Sequence, residues 1–186
     1  MRQLILLMIC SFAAPVAKAH DLDENRATLV LRDRTHLSVT LYLNYAQALH
    51  RALLPHREYG AFLLMYSSMK PDDLEKELQR AQAKFELETR MTPSGTPARQ
   101  PVPLMAWTWP RITQVQTMLQ RQAMQAIVDG HVHEPPTEIH AHAVSPQEVT
   151  AITIRFPAEF ERVLVVFYRP NQVWVDPRSP SPAIKF

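Results

Sequence analysis

Thr35-His36-Leu37-Ser38-Val39-Thr40-Leu41-Tyr42-Leu43 alternates without a break. Leu37, Val39, Leu41 and Leu43 fall on one side, and His36, Ser38, Thr40 and Tyr42 on the other. Successive strand side chains point to opposite faces, so the pattern predicts a strand with one buried and one wet face. Upstream, Ala27-Thr28-Leu29-Val30-Leu31-Arg32-Asp33 reads as its neighbour, and Arg32-Asp33-Arg34 suits a tight connection. The two form an antiparallel hairpin.

Helical signals follow. Asn44 is placed to cap a short helix that stops before Pro55, and a second pattern, Glu58 to Met69, is apolar on most sides and so expects burial. Lys70-Pro71-Asp72-Asp73 starts a third helix, with Leu74, Leu78 and Ala81 as a narrow apolar stripe. Lys84 to Thr92 alternates, with Phe85, Leu87 and Met91 against charged residues, and predicts a strand. Pro93 to Pro103 holds four prolines and reads as a connection. A long helix is expected between Pro110 and Gly130, with Ile112, Val115, Leu119, Ala123 and Ala126 on one face and five glutamines on much of the rest. Thr137 to Val144, Val149 to Phe156 and Arg162 to Tyr168 read as strands, followed by the short run Val173 to Val175. Val163-Leu164-Val165-Val166-Phe167 is apolar throughout, which predicts a central strand buried on both faces.

Strands at both ends of the chain with helices between them predict an α+β domain. The architecture expected is a small, loosely immunoglobulin-like β-sandwich of antiparallel strands, with the helices inserted mid-chain.

The first residues carry an export signature. Arg2 precedes an apolar run from Leu4 to Ala14, and Ala17-Lys18-Ala19 is a small-x-small cleavage site. The expected organisation is therefore a signal peptide at 1–19, one domain at 20–177 and a disordered, proline- and serine-rich tail at 178–186. Cleavage would remove Cys10, the one cysteine of the chain, and make His20 the new N-terminus. It would also remove Arg2 and Lys18, bringing the 20 basic residues down to 18, equal to the 18 acidic ones. A balanced charge offers no electrostatic basis for nucleic-acid binding. The expected location is the periplasm or the medium, and no apolar run after the leader is long enough to span a bilayer.

The start Ala-His-Asp-Leu at 19–22, the hairpin from Ala27 to Leu43 and the ending Val-Leu-Val-Val-Phe-Tyr-Arg-Pro at 163–170 resemble small exported bacterial proteins of unknown function. They also resemble the extracytoplasmic N-terminal domain of HupE/UreJ-type membrane proteins. That resemblance implies an extracytoplasmic domain linked to the handling of nickel or other metals. It covers the two ends of the chain and not the middle.

Four of the eight histidines lie in Gly130-His131-Val132-His133-Glu134-Pro135-Pro136-Thr137-Glu138-Ile139-His140-Ala141-His142. On a strand from Thr137, Glu138, His140 and His142 share a face. His131 and His133 repeat the spacing, and His20 would offer an α-amine and an imidazole to one ion. Imidazole suits copper, zinc and nickel, so the candidate metal ligands are His20, His131, His133, Glu138, His140 and His142. The same face also serves as the polar side of a half-exposed strand. Trp107 and Trp109 are candidate partner-binding residues, being near neighbours and of a type enriched at interfaces; alternatively they plug the end of the domain.

Catalysis has little support in the sequence, although Glu134 and Glu138 have the residue type of an acid/base pair. Gly60, Gly95 and Gly130 stand too far apart for a phosphate cradle, and neither Gly-x-Ser-x-Gly nor His-Glu-x-x-His occurs. The function expected is a non-catalytic exported binding or accessory protein working through a protein partner in the periplasm or at the membrane. The alternative is a metal-binding protein of the same compartment.

Overall fold

The computed structural model describes residues 25–94, 101–128 and 135–170. The leader, the Val173–Val175 run and the tail expected above lie outside them.

The predicted hairpin is the centre of the molecule. Strands β1 (Asn25–Leu31) and β2 (His36–Leu43) pair antiparallel, with Leu29 opposite Val39 and Leu31 opposite Leu37. Asp33 makes the turn. Its Oδ1 accepts the backbone N–H of Thr35 at 2.7 Å and of His36 at 2.8 Å, and its Oδ2 meets His36 Nδ1 at 2.6 Å. The two backbone donors, Thr35 first, hold the Asp33 carboxyl down at about 2 from its ordinary 3.8.

Asn44 caps helix α1 (Tyr45–Leu53), accepting from Gln47 N through its side chain, and α2 (Tyr59–Ser67) follows. Helix α3 (Pro71–Glu88) overturns one expectation, because it runs through the segment read as a strand from Lys84. Phe85 continues the buried stripe of Leu74, Leu78 and Ala81 at helical spacing, whereas Leu87 is 64% exposed. Helical and strand readings of 84–88 competed for the same apolar residues, and burial of Phe85 in the helix stripe decided between them.

The chain continues through β3 (Arg90–Ser94), β4 (Met105–Thr108), α4 (Ile112–Val128), β5 (Thr137–Val144), β6 (Ala151–Arg155), a short 3-10 turn (Ala158–Phe160) and β7 (Val163–Tyr168). Among the described residues five strands form a mixed sheet in the order β4-β5-β2-β1-β7, and β3 and β6 form a separate antiparallel pair. Only the β1–β7 pairing is parallel among the described residues, with Asn25 level with Val163. Helices and strands share one core, so the fold class is α+β as expected. Ala27, Leu29, Leu37, Val39, Leu41, Ile139 and Ala141 on the inner face of the sheet meet Leu49, Phe62, Leu74, Phe85 and Leu119 from the helices. Much of the layer that a second full sheet would occupy is thus helical.

Strand β7 also departs from expectation. Among the described residues it is the edge of the sheet, not its centre, and Val165 and Phe167 are 41% and 51% exposed. An all-apolar strand declares that both of its faces are suited to burial; it does not declare its place in the strand order.

Asn25 joins three segments. It is buried; its Oδ1 accepts the backbone N–H of Asn44 at 2.7 Å and its Nδ2 donates to the carbonyl of Phe160 at 2.6 Å. Asn25→Ala removes both bonds and leaves two backbone groups without their partner, at about 1–3 kcal/mol each. We expect urea denaturation to show a loss of roughly 2–5 kcal/mol, well beyond that of a surface substitution.

The turn carries a pH prediction. A carboxyl whose folded pKa is depressed stabilises the fold above its unfolded value and loses that contribution as pH falls through the folded value. Asp33→Ala should therefore lower the thermal midpoint at neutral pH. The gap to the native chain should shrink between about pH 4 and about pH 2, the interval set by the ordinary and the depressed values of Asp33. A gap independent of pH would show that the carboxylate is not what holds the turn.

Candidate functional site

Strand β5 is antiparallel to β2, with Ser38 opposite His142, Thr40 opposite His140 and Tyr42 opposite Glu138. Ile139, Ala141 and Ala143 are buried, and Glu138, His140 and His142 stand exposed on the other face. The alternation read from the sequence sets this arrangement directly: the core claims every second residue and leaves the imidazoles outside.

The outer face is a grid of polar side chains. Thr40 Oγ1 lies 3.3 Å from His140 Nδ1, Ser38 Oγ lies 3.5 Å from His142 Nδ1, and Arg32 Nε donates to Ser38 Oγ at 2.6 Å. Arg26 sits 4.4 Å over the ring of Tyr42. His140 Nε2 is 3.3 Å from Glu138 Oε1. With Nδ1 of His140 beside a hydroxyl, Nε2 is the atom turned to the carboxylate.

The two histidines border different hollows. His140 and Glu138 line a cleft of about 380 Å³ with Trp109, Met118 and Arg121, between α4 and the start of β5. His142 lines a second one, of about 290 Å³, with Arg32, Asp33, His36 and Ser38. Among the described residues no three histidine, cysteine or carboxylate side chains converge as a metal site. His20, His131 and His133 lie outside the described residues.

The tryptophans are placed by a bulge. Met105 pairs with His142 and Thr108 with His140, so β4 spends one residue more than β5 over that interval. Ala106 takes up the difference with φ at +52°. The extra residue changes the parity of the strand, so Trp107 joins Trp109 on the inner side. Their rings stack at 5.2 Å with 5° between planes, and Trp109 also stacks on Tyr45 at 5.9 Å. Trp109 Nε1 donates to Glu86 Oε1 at 2.7 Å. Both are partly buried and packed against the core.

Sequence reasoning missed a further surface. Helix α2 is apolar all round, yet Leu64 is 56% exposed, with Met65 beside it in sequence. Helix α4 packs on α2: Gln116 Nε2 donates to Met69 O at 3.0 Å, Gln120 Nε2 to Ser67 O at 3.3 Å, and Gln122 bonds the Tyr59 hydroxyl. The contacts run antiparallel, so the end of α4 lies by the start of α2. There Met124, Ile127 and Val128 are exposed, Ile127 by 67%. No charged residue occurs in α2 or in α4 after Arg121. The absence of charge on α2 was the signal in the sequence; it was read there as burial.

Comparison with family models, with curated proteins and with solved structures returned no match.

Proposed function

We propose that this is an exported, non-catalytic accessory protein that acts through a protein partner docking on the α2/α4 surface. The observation that supports the reading most is a helix without a single charge, α2, lying half in solvent beside the bare apolar end of α4. A helix apolar on all sides normally lies wholly inside a protein, and contiguous exposed apolar surface marks an interaction site. Two packed helices offer ridges and a groove that suit the apolar face of a third. An anionic membrane is the weaker occupant, because neither helix carries a basic residue in its last turn. Export is supported by Arg2, the apolar run to Ala14 and Ala17-Lys18-Ala19, and among the described residues no helix is long and apolar enough to cross a membrane. The immunoglobulin-like sandwich belongs to the same proposal. Its support is the β3–β6 pair, whose Met91 and Ile152 share a small hollow with Leu37 and Ala143 at one end of the large sheet.

Photo-crosslinking from Met124 and Leu64, in cells that make the protein, tests the docking surface. One protein species should be captured from both positions and none from Gln79, exposed on α3. Ile127→Glu should then weaken binding of the purified partner at least tenfold, about 1.4 kcal/mol, with the circular dichroism spectrum unchanged. Capture no stronger than from Gln79, or binding to vesicles instead, would sink the proposal.

A second reading, a periplasmic copper, zinc or nickel protein, has its own support in the Glu138–His140 pair. Two ligands about 2.0–2.1 Å from a tetrahedral ion stand roughly 3.3 Å apart, and His140 Nε2 and Glu138 Oε1 are 3.3 Å apart. Under this reading His142 joins from the same strand face, and His131, His133 or the His20 terminus completes the set. Calorimetric titration with Cu(II), Zn(II) and Ni(II) should show binding that His140→Ala with His142→Ala abolishes while the fold survives. Affinity should fall as pH drops, since protons compete for the imidazole nitrogens. Equal binding by the double variant would end this reading and leave the first untouched.

A further inference from the structure

Helix α2 turns one face to solvent. Gly60, Ala61, Leu64, Met65 and the C-cap Ser68 are exposed along it, while Phe62, Leu63, Tyr66 and Ser67 are buried. Leu64 is the centre of that face and stands midway in sequence between Glu58 and Lys70, the exposed charges that bracket the helix. Arg57 precedes Glu58, and Asp72 follows soon after Lys70. Each end of α2 thus carries one charge of each sign. The face itself can be covered at little cost. Ser68 Oγ donates to the carbonyls of Leu64 at 2.8 Å and Met65 at 3.2 Å, so covering it leaves no donor unpaired. A Cβ at Gly60 would meet nothing within 4 Å, so another backbone has room to come close there.

We infer that the molecule docked on the α2/α4 surface is a second copy of this chain, its α2 antiparallel to the first and Leu64 on the two-fold axis. The inference rests on the docking reading above and names its occupant. A two-fold interface is isologous, so the same patch must fit itself. Charged patches often fail that test, because like charges meet near the axis. Helix α2 brings no charge to the axis. Antiparallel pairing opposes residues equally distant from Leu64. Gly60 then faces Ser68 of the second copy, and a small pair on each side of the Leu64–Leu64 contact lets the helices pack closely. The same symmetry sets Glu58 against Lys70 and brings Arg57 near Asp72, so all four bracket charges meet the opposite sign. Exposed Met124 and Ile127 of α4 lie by the start of α2, and so reach toward the Met65 end of the other α2. An unrelated amphipathic helix would bury the same apolar side chains, but only a second copy is bound to supply the four matching charges.

Sedimentation and charge reversal in the full chain test the arrangement. The native protein should sediment as a dimer that dissociates on dilution. Leu64→Glu sets two carboxylates face to face on the axis and should raise the dimer Kd at least about a hundredfold, with the circular dichroism spectrum unchanged. Glu58→Lys and Lys70→Glu should each weaken the dimer roughly threefold to tenfold, since each breaks two exposed ion pairs. The two reversals together should restore it, which damage to the fold would not do. A native chain that stays monomeric at its highest soluble concentration would overturn the inference. If photo-crosslinking from Leu64 then captures a different protein, the docking reading survives; if it captures nothing beyond the Gln79 control, both fail. A dimer indifferent to Leu64→Glu would place the interface elsewhere and overturn the inference. So would a double reversal that leaves the dimer weakened, because the antiparallel charge match would then be absent.

Discussion

A single buried amide holds the start of the fold to its end. Asn25 opens β1, and its carboxamide reaches the chain where α1 begins and where the 3-10 turn ends. A buried amide without partners is costly, so the arrangement is stable only when all three segments are in place. The second contact lies 135 residues away in sequence and comes just before β7. It sets the point at which β7 enters the sheet, level with Asn25 itself. Other bonds fix the same corner. Arg51 of α1 donates to the carbonyl of Glu159 at 3.1 Å and pairs with Glu161 at 2.7 Å, while Lys84 of α3 pairs with the Glu159 carboxylate, which holds the Lys84 pKa up. Glu161 itself turns the chain with φ at +53°. The parallel β1–β7 pairing therefore depends on side chains from β1, α1 and α3, not on a short local turn.

The sheet then separates duties between its faces. The inner face is apolar from β1 to β5 and carries the helices. Over β2 and β5 the outer face carries Ser38, Thr40, Tyr42, Glu138, His140 and His142, joined by mutual polar contacts and by Arg26 and Arg32. Substitutions there leave the core intact, so this face is free to carry chemistry, and its histidines are compatible with metal binding. The same freedom makes them weak witnesses. Exposed imidazoles need no explanation by themselves, whereas exposed apolar side chains on adjacent helices do, because each forgoes burial worth about 1.5–3 kcal/mol.

Legibility followed the same division. The faces of β2 and β5 could be read because a half-buried strand forces strict alternation: Leu37, Val39 and Leu41 in one, Ile139, Ala141 and Ala143 in the other. The stripe of α4 could be read for the equivalent helical reason. The end of α3 was obscured because Phe85 and Leu87 fit either period, and only the fold reveals that Phe85 is buried and Leu87 is not. The bulge at Ala106 left no mark, since alanine is an ordinary strand residue and its positive φ is imposed by pairing on both sides. For that reason the inward turn of Trp107 was invisible. In the site, the shared face of Glu138, His140 and His142 was legible, but the hollows that divide the two histidines depend on Arg32, Asp33 and Trp109, which the fold brings in from elsewhere.

Strand β7 and helix α2 share a deeper ambiguity. The sequence predicts burial for both, α2 being apolar on most sides and β7 on both faces. Composition reports what a segment is suited to contact, and that contact need not be with the part of the chain that folds first around it. For β7 the exposed residues include Val165 and Phe167, which lie level with the buried Ala27 and Leu29 of β1. For α2 the exposed residues include Leu64 and Met65. The last turns of α4, which lie beside it, add apolar surface instead of covering it. The two exposures therefore differ in kind: the strand edge presents backbone N–H and C=O groups beside its apolar side chains, whereas the helical surface presents apolar side chains alone, its backbone bonds being closed within each helix.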